Sequence, residues 1–165
     1  MRLTDYTDYS LRALIYVAVH PNELVTIQQI ADAFTIPKNH LVKIVQHLGQ
    51  AGYLHTLRGR GGGIRLGRPP AEINIGEVIR TMEPDFGLVE CFRHQSQCLL
   101  NKACGLRGML GEALQAYFDV LDQYSLQDLV DSSGMEGGTG ALPEGAILHA
   151  INFAPRPAAA RPASS

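Results

Sequence analysis

A glycine-rich segment with two arginines sets the tightest limit on how this chain can fold. Four of the six residues from 58 to 63 are glycine, and the other two are Arg58 and Arg60. Glycine weakens regular structure but permits tight turns. Apolar residues flank the glycines and predict two short strands: Leu54 and Leu57 on one side, Ile64 and Leu66 on the other. We therefore expect a β-hairpin with an arginine-bearing tip, the shape of a wing.

A phosphate-binding loop is the other structure that glycine runs form. It requires a Gly-Lys-Ser/Thr sequence and a helix directly after the loop. Neither follows residue 63, and the spacing of the dinucleotide-binding motif fails at Ile64. The glycines therefore favour a thin ribbon, whose arginines suit a narrow DNA minor groove with its concentrated negative potential.

Three helices are predicted before this ribbon. The first begins at Thr4 and runs to about His20. The second begins at Thr26, where Thr-Ile-Gln-Gln matches a capping box. The third begins near Pro37 and ends before Gly52. Helices two and three, joined by a short turn, predict a helix-turn-helix.

The third helix has two chemically different faces. At about 100° per residue, four apolar residues fall together on one side: Leu41, Ile44, Val45 and Leu48. The opposite side carries amides and one lysine but no carboxylate: Asn39, Lys43, Gln46 and Gln50. Such side chains can make bidentate contacts to base edges in a major groove. We expect this helix to pack with one face and to contact DNA with the other.

Charge is distributed unevenly, although the net charge is only -2. Residues 1–83 carry nine basic and seven acidic side chains, whereas residues 84–165 carry five and nine. Residues 33–71 carry six lysines and arginines and no acidic residue. A solvated basic face would explain scattered charges, but a block on a helix and a ribbon can neutralise phosphates.

These features predict a mainly α protein whose residues 1–83 form a winged helix-turn-helix DNA-binding domain with a small β wing. We expect double-stranded DNA as its partner, with two elements in contact. The predicted contacts are Lys38, Asn39, His40, Lys43 and Gln46 on the third helix, and Arg58 and Arg60 on the wing.

A fourth helix is predicted from Asn74 to Met82 and a long one from Ala103 to Tyr124. Apolar residues of the long helix alternate at spacings of four and three, close to a heptad seam: Leu106, Leu110, Ala113, Tyr117, Val120 and Tyr124, broadened by Leu114 and Leu121. The seam packs either on its own domain or on a second copy. A small domain offers little surface for so long a helix, which favours a homodimer. We expect residues 105–130 to form this dimerisation helix and a short C-terminal helix.

The three cysteines, Cys91, Cys98 and Cys104, lie within 14 residues of one another. Their odd number and crowding argue against a disulfide framework and favour a reduced, cytoplasmic protein with a ligand-binding segment at 84–104. Zinc sites normally use closely paired cysteines, which are missing here, and a disulfide switch would leave one thiol unused. An iron–sulfur cluster tolerates wider loops and one other ligand. All three alternatives stay open on spacing alone.

Four motifs together resemble one known family. They are Thr-Asp-Tyr-Ser-Leu-Arg-Ala-Leu at 7–14, Lys-Asn-His-Leu-Val-Lys-Ile-Val at 38–45, Arg-Gly-Arg-Gly-Gly-Gly-Ile-Arg-Leu at 58–66, and the three spaced cysteines. In order and spacing they resemble the nitric-oxide-sensing repressors of the winged-helix iron–sulfur regulator family. The resemblance covers roughly residues 1–130 and leaves the remaining residues uncovered.

The resemblance implies one iron–sulfur cluster per subunit, held by Cys91, Cys98 and Cys104. It also implies that Asp8 of the partner subunit completes the coordination. The cluster-assembly regulators of the family use a histidine three residues beyond the last cysteine, where this chain has Arg107. That departure argues against their type of site and leaves His94 as a further candidate ligand. A [4Fe-4S] cluster is favoured over [2Fe-2S].

By this resemblance, the chain is expected to be a transcriptional repressor rather than an enzyme. The cluster-bound homodimer would bind palindromic operators of nitric oxide detoxification genes and release them when nitric oxide attacks the cluster. A regulator sensing iron–sulfur status or oxidants, and a zinc-binding structural or interaction module, are the alternatives.

No membrane partner is expected, since the longest apolar run is the seven residues 13–19 against roughly 20 for a membrane span. Residues 131–165, in which 21 of 35 residues are Gly, Pro, Ala or Ser, are predicted to be disordered.

Overall fold

The computed structural model describes residues 2–89, 92 and 105–132. Within these ranges the chain is mainly helical with one two-stranded antiparallel sheet, which confirms the predicted fold class. The elements in chain order are α1 (Asp5–Ala18), α2 (Ile27–Phe34), α3 (Lys38–Gln50), β1 (Leu54–Leu57), β2 (Gly63–Leu66), a 3₁₀ turn (Pro70–Glu72), α4 (Ile75–Met82), α5 (Gly105–Leu121) and α6 (Leu126–Ser132).

The helices begin where the capping signals predict. The Thr4 hydroxyl accepts a hydrogen bond from the Thr7 amide at the start of α1. At the start of α2, Thr26 and Gln29 form both halves of a capping box. At the start of α4, the Asn74 side chain accepts a hydrogen bond from the Glu77 amide. Each cap satisfies a backbone amide that has no partner inside the helix, so the boundaries follow from local chemistry.

The core is built around α3. Its predicted apolar face, Leu41, Ile44, Val45 and Leu48, is buried. The helix ends at Gln50, and Gly52 takes a left-handed conformation with φ of 79°. This turn lets the Tyr53 amide donate to the Leu48 carbonyl oxygen at 2.9 Å, and the chain then enters β1. A residue with a side chain would be strained at this φ.

The wing is a hairpin in which Leu54 pairs with Leu66 and Leu57 pairs with Gly63. A third segment, which the sequence did not predict, holds it to the core. Val25, between α1 and α2, exchanges backbone hydrogen bonds of 3.0 and 2.7 Å with Ile64. Gly63 permits this approach, because a Cβ atom there would lie 2.8 Å from the Cβ atom of Leu24.

The long helix differs from its prediction. Among the described residues α5 runs from Gly105 to Leu121 and ends before the predicted Tyr124; positions 103 and 104 lie outside the described ranges. The predicted seam is also divided between two surfaces. Leu106, Ala113 and Val120 are exposed, whereas Leu110, Tyr117 and Tyr124 are partly buried in their own chain. The buried centre of the helix is Phe118, which the seam omitted; its ring meets the Phe86 ring edge-on at 4.8 Å. Helix α5 therefore packs on its own domain with one face and turns another face outward.

The chain returns to the DNA-binding half after α5. Asn74 and Ser125 form an antiparallel bridge, and the Leu126 amide donates to the Ile73 carbonyl oxygen at 2.8 Å. Leu126, the first residue of α6, is fully buried. No helix in the described ranges is both long and apolar enough to cross a membrane. The predicted disorder of residues 131–165 is wrong at its first two positions, because Asp131 and Ser132 belong to α6; the rest of that prediction lies outside the described residues.

Candidate nucleic-acid interface and its connection to the cysteine segment

The outward face of α3 carries the five predicted contacts. Lys38, Asn39, His40, Lys43 and Gln46 are all exposed. No acidic residue lies in the first turn of the helix, and Pro37 precedes it without a side-chain cap. The α3 amides and lysines are therefore presented to solvent on a rigid element, with positive charge and no carboxylate among them. A rigid helix with such a face can enter a major groove.

The tip of the wing presents the two predicted arginines. Arg58 and Arg60 are exposed, and they alternate with Gly59 and Gly61, which adopt φ values of 106° and 80°. Arg68, also basic, is engaged elsewhere: its guanidinium lies 4.7 Å from the centre of the Tyr53 ring and 3.8 Å from the Glu77 carboxylate. Of the four arginines in residues 33–71, Arg58, Arg60 and Arg65 are exposed, whereas Arg68 has a structural role.

Helix α1 packs directly on α3. The Tyr6 hydroxyl lies 3.2 Å from His47 Nδ1 and donates to the Lys43 carbonyl oxygen at 3.4 Å. Burial raises the pKa of the Tyr6 phenol, which keeps it protonated and able to donate. One turn along, the rings of Tyr9 and His40 lie 6.5 Å apart. Any movement of α1 would therefore act on the helix that carries the candidate DNA contacts.

Asp8, the predicted cluster ligand on α1, has a partner in its own helix. Its carboxylate accepts a hydrogen bond from Arg12 Nε at 2.8 Å and remains partly exposed. The Arg12 guanidinium also lies 5.8 Å from the centre of the Phe34 ring at the end of α2. Asp8 is thus linked through Arg12 to the helix-turn-helix.

Glu83 is a residue that sequence reasoning missed. Its carboxylate accepts hydrogen bonds from the Thr4 amide and hydroxyl, both at 3.1 Å, and from the Thr7 hydroxyl at 2.5 Å. It therefore caps α1 from a position 79 residues away along the chain, favourable for a carboxylate at a helix N-terminus. No local sequence motif predicts this contact between Glu83 and the start of α1. Glu83 precedes Pro84, so it joins the start of α1 to the segment that leads to the cysteines.

The cysteines themselves, and His94, lie outside the described residues. Described residues around the cysteines line a cavity of about 670 Å³: Pro84, Asp85, Phe86 and Gly87 before them, Phe92 between Cys91 and Cys98, and Arg107, Gly111 and Leu114 on α5. Within the described ranges no group of three His, Cys, Asp or Glu side chains is arranged to hold a metal ion. The predicted donor set, three thiols from one segment and one ligand that is not a cysteine, is of the kind that iron–sulfur clusters accept.

Comparison with known proteins identifies the family. The family model "Rrf2: Iron-dependent Transcriptional regulator" matches residues 3–132. The chain belongs to the Rrf2 family of transcriptional regulators. An HTH-type transcriptional regulator NsrR from Bacillus licheniformis is 58% identical over 132 residues, which are 79% of this chain and 92% of the relative. Its counterpart from Bacillus subtilis is 57% identical over 132 residues, 79% of this chain and 90% of that relative.

A solved structure agrees with this assignment. CymR, the global cysteine regulator of B. subtilis, is 25% identical, with a TM-score of 0.62 over 79% of this chain and 97% of that one. This Rrf2 protein is therefore similar to HTH-type transcriptional regulators, which act on DNA and are not enzymes. Membership of the family makes DNA its partner and leaves open which residues contact it.

Proposed function

We propose that this Rrf2 protein is a nitric-oxide-sensitive transcriptional repressor that acts in the cytoplasm as a homodimer. The cluster-bound dimer binds palindromic operators of nitric oxide detoxification genes, and nitric oxide releases it. The observation that carries the proposal is that α1 holds both Asp8 and the contacts to α3 through Tyr6. A change of ligation at Asp8 thus has a direct route to the DNA-contacting helix. The similarity to NsrR proteins at 57 and 58% identity supports the choice of signal.

In this proposal Cys91, Cys98 and Cys104 hold one iron–sulfur cluster per subunit, and Asp8 of the partner subunit is the fourth ligand. A [4Fe-4S] cluster is favoured, with [2Fe-2S] as the alternative. When bound, the cluster supplies iron atoms that react with nitric oxide. Asp8 is partly exposed and so accessible to a second subunit.

The switch follows from the contacts of α1. An Asp8 carboxylate that held iron would have less negative charge to offer Arg12, and its release would favour the 2.8 Å pair that the structure shows. Arg12 also touches Phe34, and Tyr6 touches α3, so both helices of the helix-turn-helix respond. A coupling of only about 1–3 kcal/mol changes operator occupancy by roughly 5- to 150-fold, enough for repression and release.

The DNA contacts in this proposal are the exposed residues of α3 and of the wing tip. Lys38, Asn39, His40, Lys43 and Gln46 reach base edges or phosphates in the major groove. Arg58 and Arg60 enter the adjacent minor groove, and the dimer axis coincides with the operator axis. The proposed division is DNA binding by residues 1–83, cluster binding by 84–104 and dimerisation by 105–130.

The deciding experiment is anaerobic purification with iron and sulfide analysis, followed by operator binding before and after stoichiometric nitric oxide. The proposal requires iron, sulfide and a large loss of affinity on adding nitric oxide. Equal affinity in both states would refute it. A response to iron depletion or oxidants alone would favour the iron–sulfur-status alternative, and a colourless protein with one zinc ion would favour a zinc module.

Two aspartates in the first turn of α1 offer a matched test of the ligand. Asp5→Ala and Asp8→Ala remove the same charge from the same helix end, but only Asp8 is proposed to reach the cluster. We expect Asp8→Ala to change the cluster spectrum and the response to nitric oxide, and Asp5→Ala to change neither. Identical behaviour of the two variants would remove Asp8 from the coordination. A Cys98→Ser variant that still binds the operator and still responds would remove the cluster from the mechanism.

A further inference from the structure

One residue on the outward face of α3 does not fit its surroundings. Val42 is 45% exposed and is the only large hydrophobic side chain of α3 in that class. At about 100° per residue, Lys38 and Gln46 lie within roughly 40° of it on either side, and Asn39 lies within roughly 60°. Val42 therefore lies within the polar, cationic face proposed to meet DNA, between Lys38 and Gln46 and roughly 60° from the centre of that face.

Packing within the chain does not require a valine at this position. The apolar side of α3 is already complete, with Leu41, Ile44, Val45 and Leu48 buried. A β-branched residue also lowers helix propensity relative to the lysine and glutamine around it. Isolated exposed apolar residues are common on protein surfaces, so the position of Val42, and not its exposure alone, carries the inference.

The chemistry of the major groove limits what a valine can recognise there. Its side chain has neither a hydrogen-bond donor nor an acceptor. Each base pair presents donors and acceptors in the major groove, and the apolar feature of its edges is the 5-methyl group of thymine. Asn39 and Gln46, about one helical turn before and after Val42, carry the amides that pair with adenine N6 and N7. An apolar contact between two amides is suited to A·T base pairs.

We propose that Val42 is a specificity-determining residue that contacts the 5-methyl group of one thymine in each operator half-site. The proposal rests on the proposed function only in that α3 must enter the major groove. It does not depend on which signal releases the protein or on how the cysteines bind a cofactor.

Deoxyuridine differs from thymidine only by this methyl group and provides the probe. The anaerobically purified full chain would first enrich binding sites from a random duplex pool. In an enriched duplex each thymine is then replaced singly by deoxyuridine, and the Kd is measured for the wild type and for Val42→Ala. We expect one thymine per half-site at which replacement weakens wild-type binding about fourfold, the value of one buried methyl group. At that thymine, replacement by deoxyuridine should not weaken the binding of Val42→Ala.

For each variant, the ratio of the Kd for the deoxyuridine duplex to the Kd for the thymidine duplex distinguishes a direct contact with the methyl group from a general loss of DNA binding. Val42→Ala should fold at least as stably as the wild type, since alanine favours an exposed helix. Val42→Thr keeps one methyl group and should keep part of the discrimination. As a matched control, Leu24→Ala truncates another exposed apolar side chain outside α3, and its sensitivity to deoxyuridine should equal that of the wild type.

Three results would overturn the proposal. They are a wild type indifferent to deoxyuridine at every thymine, a Val42→Ala variant with unchanged sensitivity, and a Leu24→Ala variant that loses sensitivity equally. If instead the wild type enriches no duplex at all, the DNA-binding function fails and this proposal with it. That outcome is distinct from a protein that binds operators without reading the methyl group.

Discussion

Helices α3 and α5 both turn one face away from their own chain, and the two faces differ in kind. The outward face of α3 is polar and basic, with Val42 as its single large apolar residue. The outward face of α5 is apolar: Leu106, Met109, Ala113, Ala116 and Val120 are exposed. Their spacing of three and four places these five side chains within roughly 80° of one another. A face that is basic suits phosphates and base edges, whereas an apolar heptad face suits a second helix.

The comparison also shows how one helix can serve two partners. The inward side of α5 is centred on Phe118, which is only 7% exposed and lies under the Arg80 guanidinium at 4.2 Å. The outward side has Met109 at 63% exposed. Contacts within the chain therefore hold α5 in place and leave this outward apolar face exposed. We therefore propose the outward face, in place of the heptad set predicted from the sequence, as the dimer seam.

The largest expected effect tests the inward side. Phe118→Ala should lower the free energy of unfolding by about 3–5 kcal/mol, because it removes a buried aromatic side chain and leaves a cavity. Thermal or urea unfolding measures this change. Gln115→Ala, on the exposed side of the same helix, should change stability by no more than about 0.5 kcal/mol. Similar losses in both variants would mean that α5 is not anchored through Phe118.

The outward side is tested by inserting a charge. Met109→Lys places an ammonium group in the proposed dimer seam, so we expect a monomer in sedimentation and about a 100-fold or greater loss of operator affinity, since the two half-sites are then bound independently. Gln115→Lys adds the same charge to the same helix outside the seam and should remain dimeric. A dimeric Met109→Lys protein would show that α5 has another role.

A smaller effect tests the basic face. Lys43→Ala and Arg60→Ala should each weaken binding to all sequences and reduce the slope of log K against log salt by about 1, as expected when one phosphate contact is lost. Arg2→Ala removes an exposed charge that pairs with Asp5 at the start of α1. Its slope should match that of the wild type. Unchanged salt slopes for Lys43→Ala and Arg60→Ala would show that the DNA interface lies elsewhere.

The smallest expected effect concerns the link between α4 and the end of α5. Two hydrogen bonds of 2.7 and 2.6 Å join Arg80 to Asp122, and they lower the pKa of the Asp122 carboxyl below its ordinary value of 3.8. A lowered folded-state pKa contributes stability above pH 3.8, and this contribution is lost as the pH falls through the folded-state value. The stability difference between wild type and Asp122→Asn should therefore be constant near neutral pH and shrink below about pH 4. If the stability difference between the two proteins did not depend on pH, the ionised Arg80–Asp122 pair would not be its source.

Local signals predicted much of the fold. The Thr26 capping box, the Gly52 turn and the glycine-rich wing tip each depend on residues within a few positions of one another. They can therefore be predicted from the sequence. The apolar periodicity of α3 was confirmed for the same reason: neighbouring turns of one helix share a face. The candidate site was predictable in part, since the exposed residues of α3 and the wing come from these same local elements.

Contacts between distant segments were not predictable in this way. Nothing near Val25 indicates that it will bridge to Ile64, and nothing near Glu83 indicates that it will cap α1. The seam of α5 was predicted with Leu110 and Tyr117, but those residues are partly buried, whereas Met109, which the prediction omitted, is exposed. A heptad pattern and a helix packed on its domain have nearly the same spacing, so periodicity alone could not assign the faces.

The amino-acid sequence alone specified where the capped helices α1, α2 and α4 begin, the arginine-bearing ribbon, the acid-free basic stretch and the spacing of the cysteines, because each arises from neighbouring residues and local backbone chemistry. The tertiary structure decided which side of α5 is free, which arginine is structural and how α1 is joined to α3. These depend on which surfaces meet when segments up to 79 residues apart come together, and burial, unlike helix propensity, is a property of the packed chain.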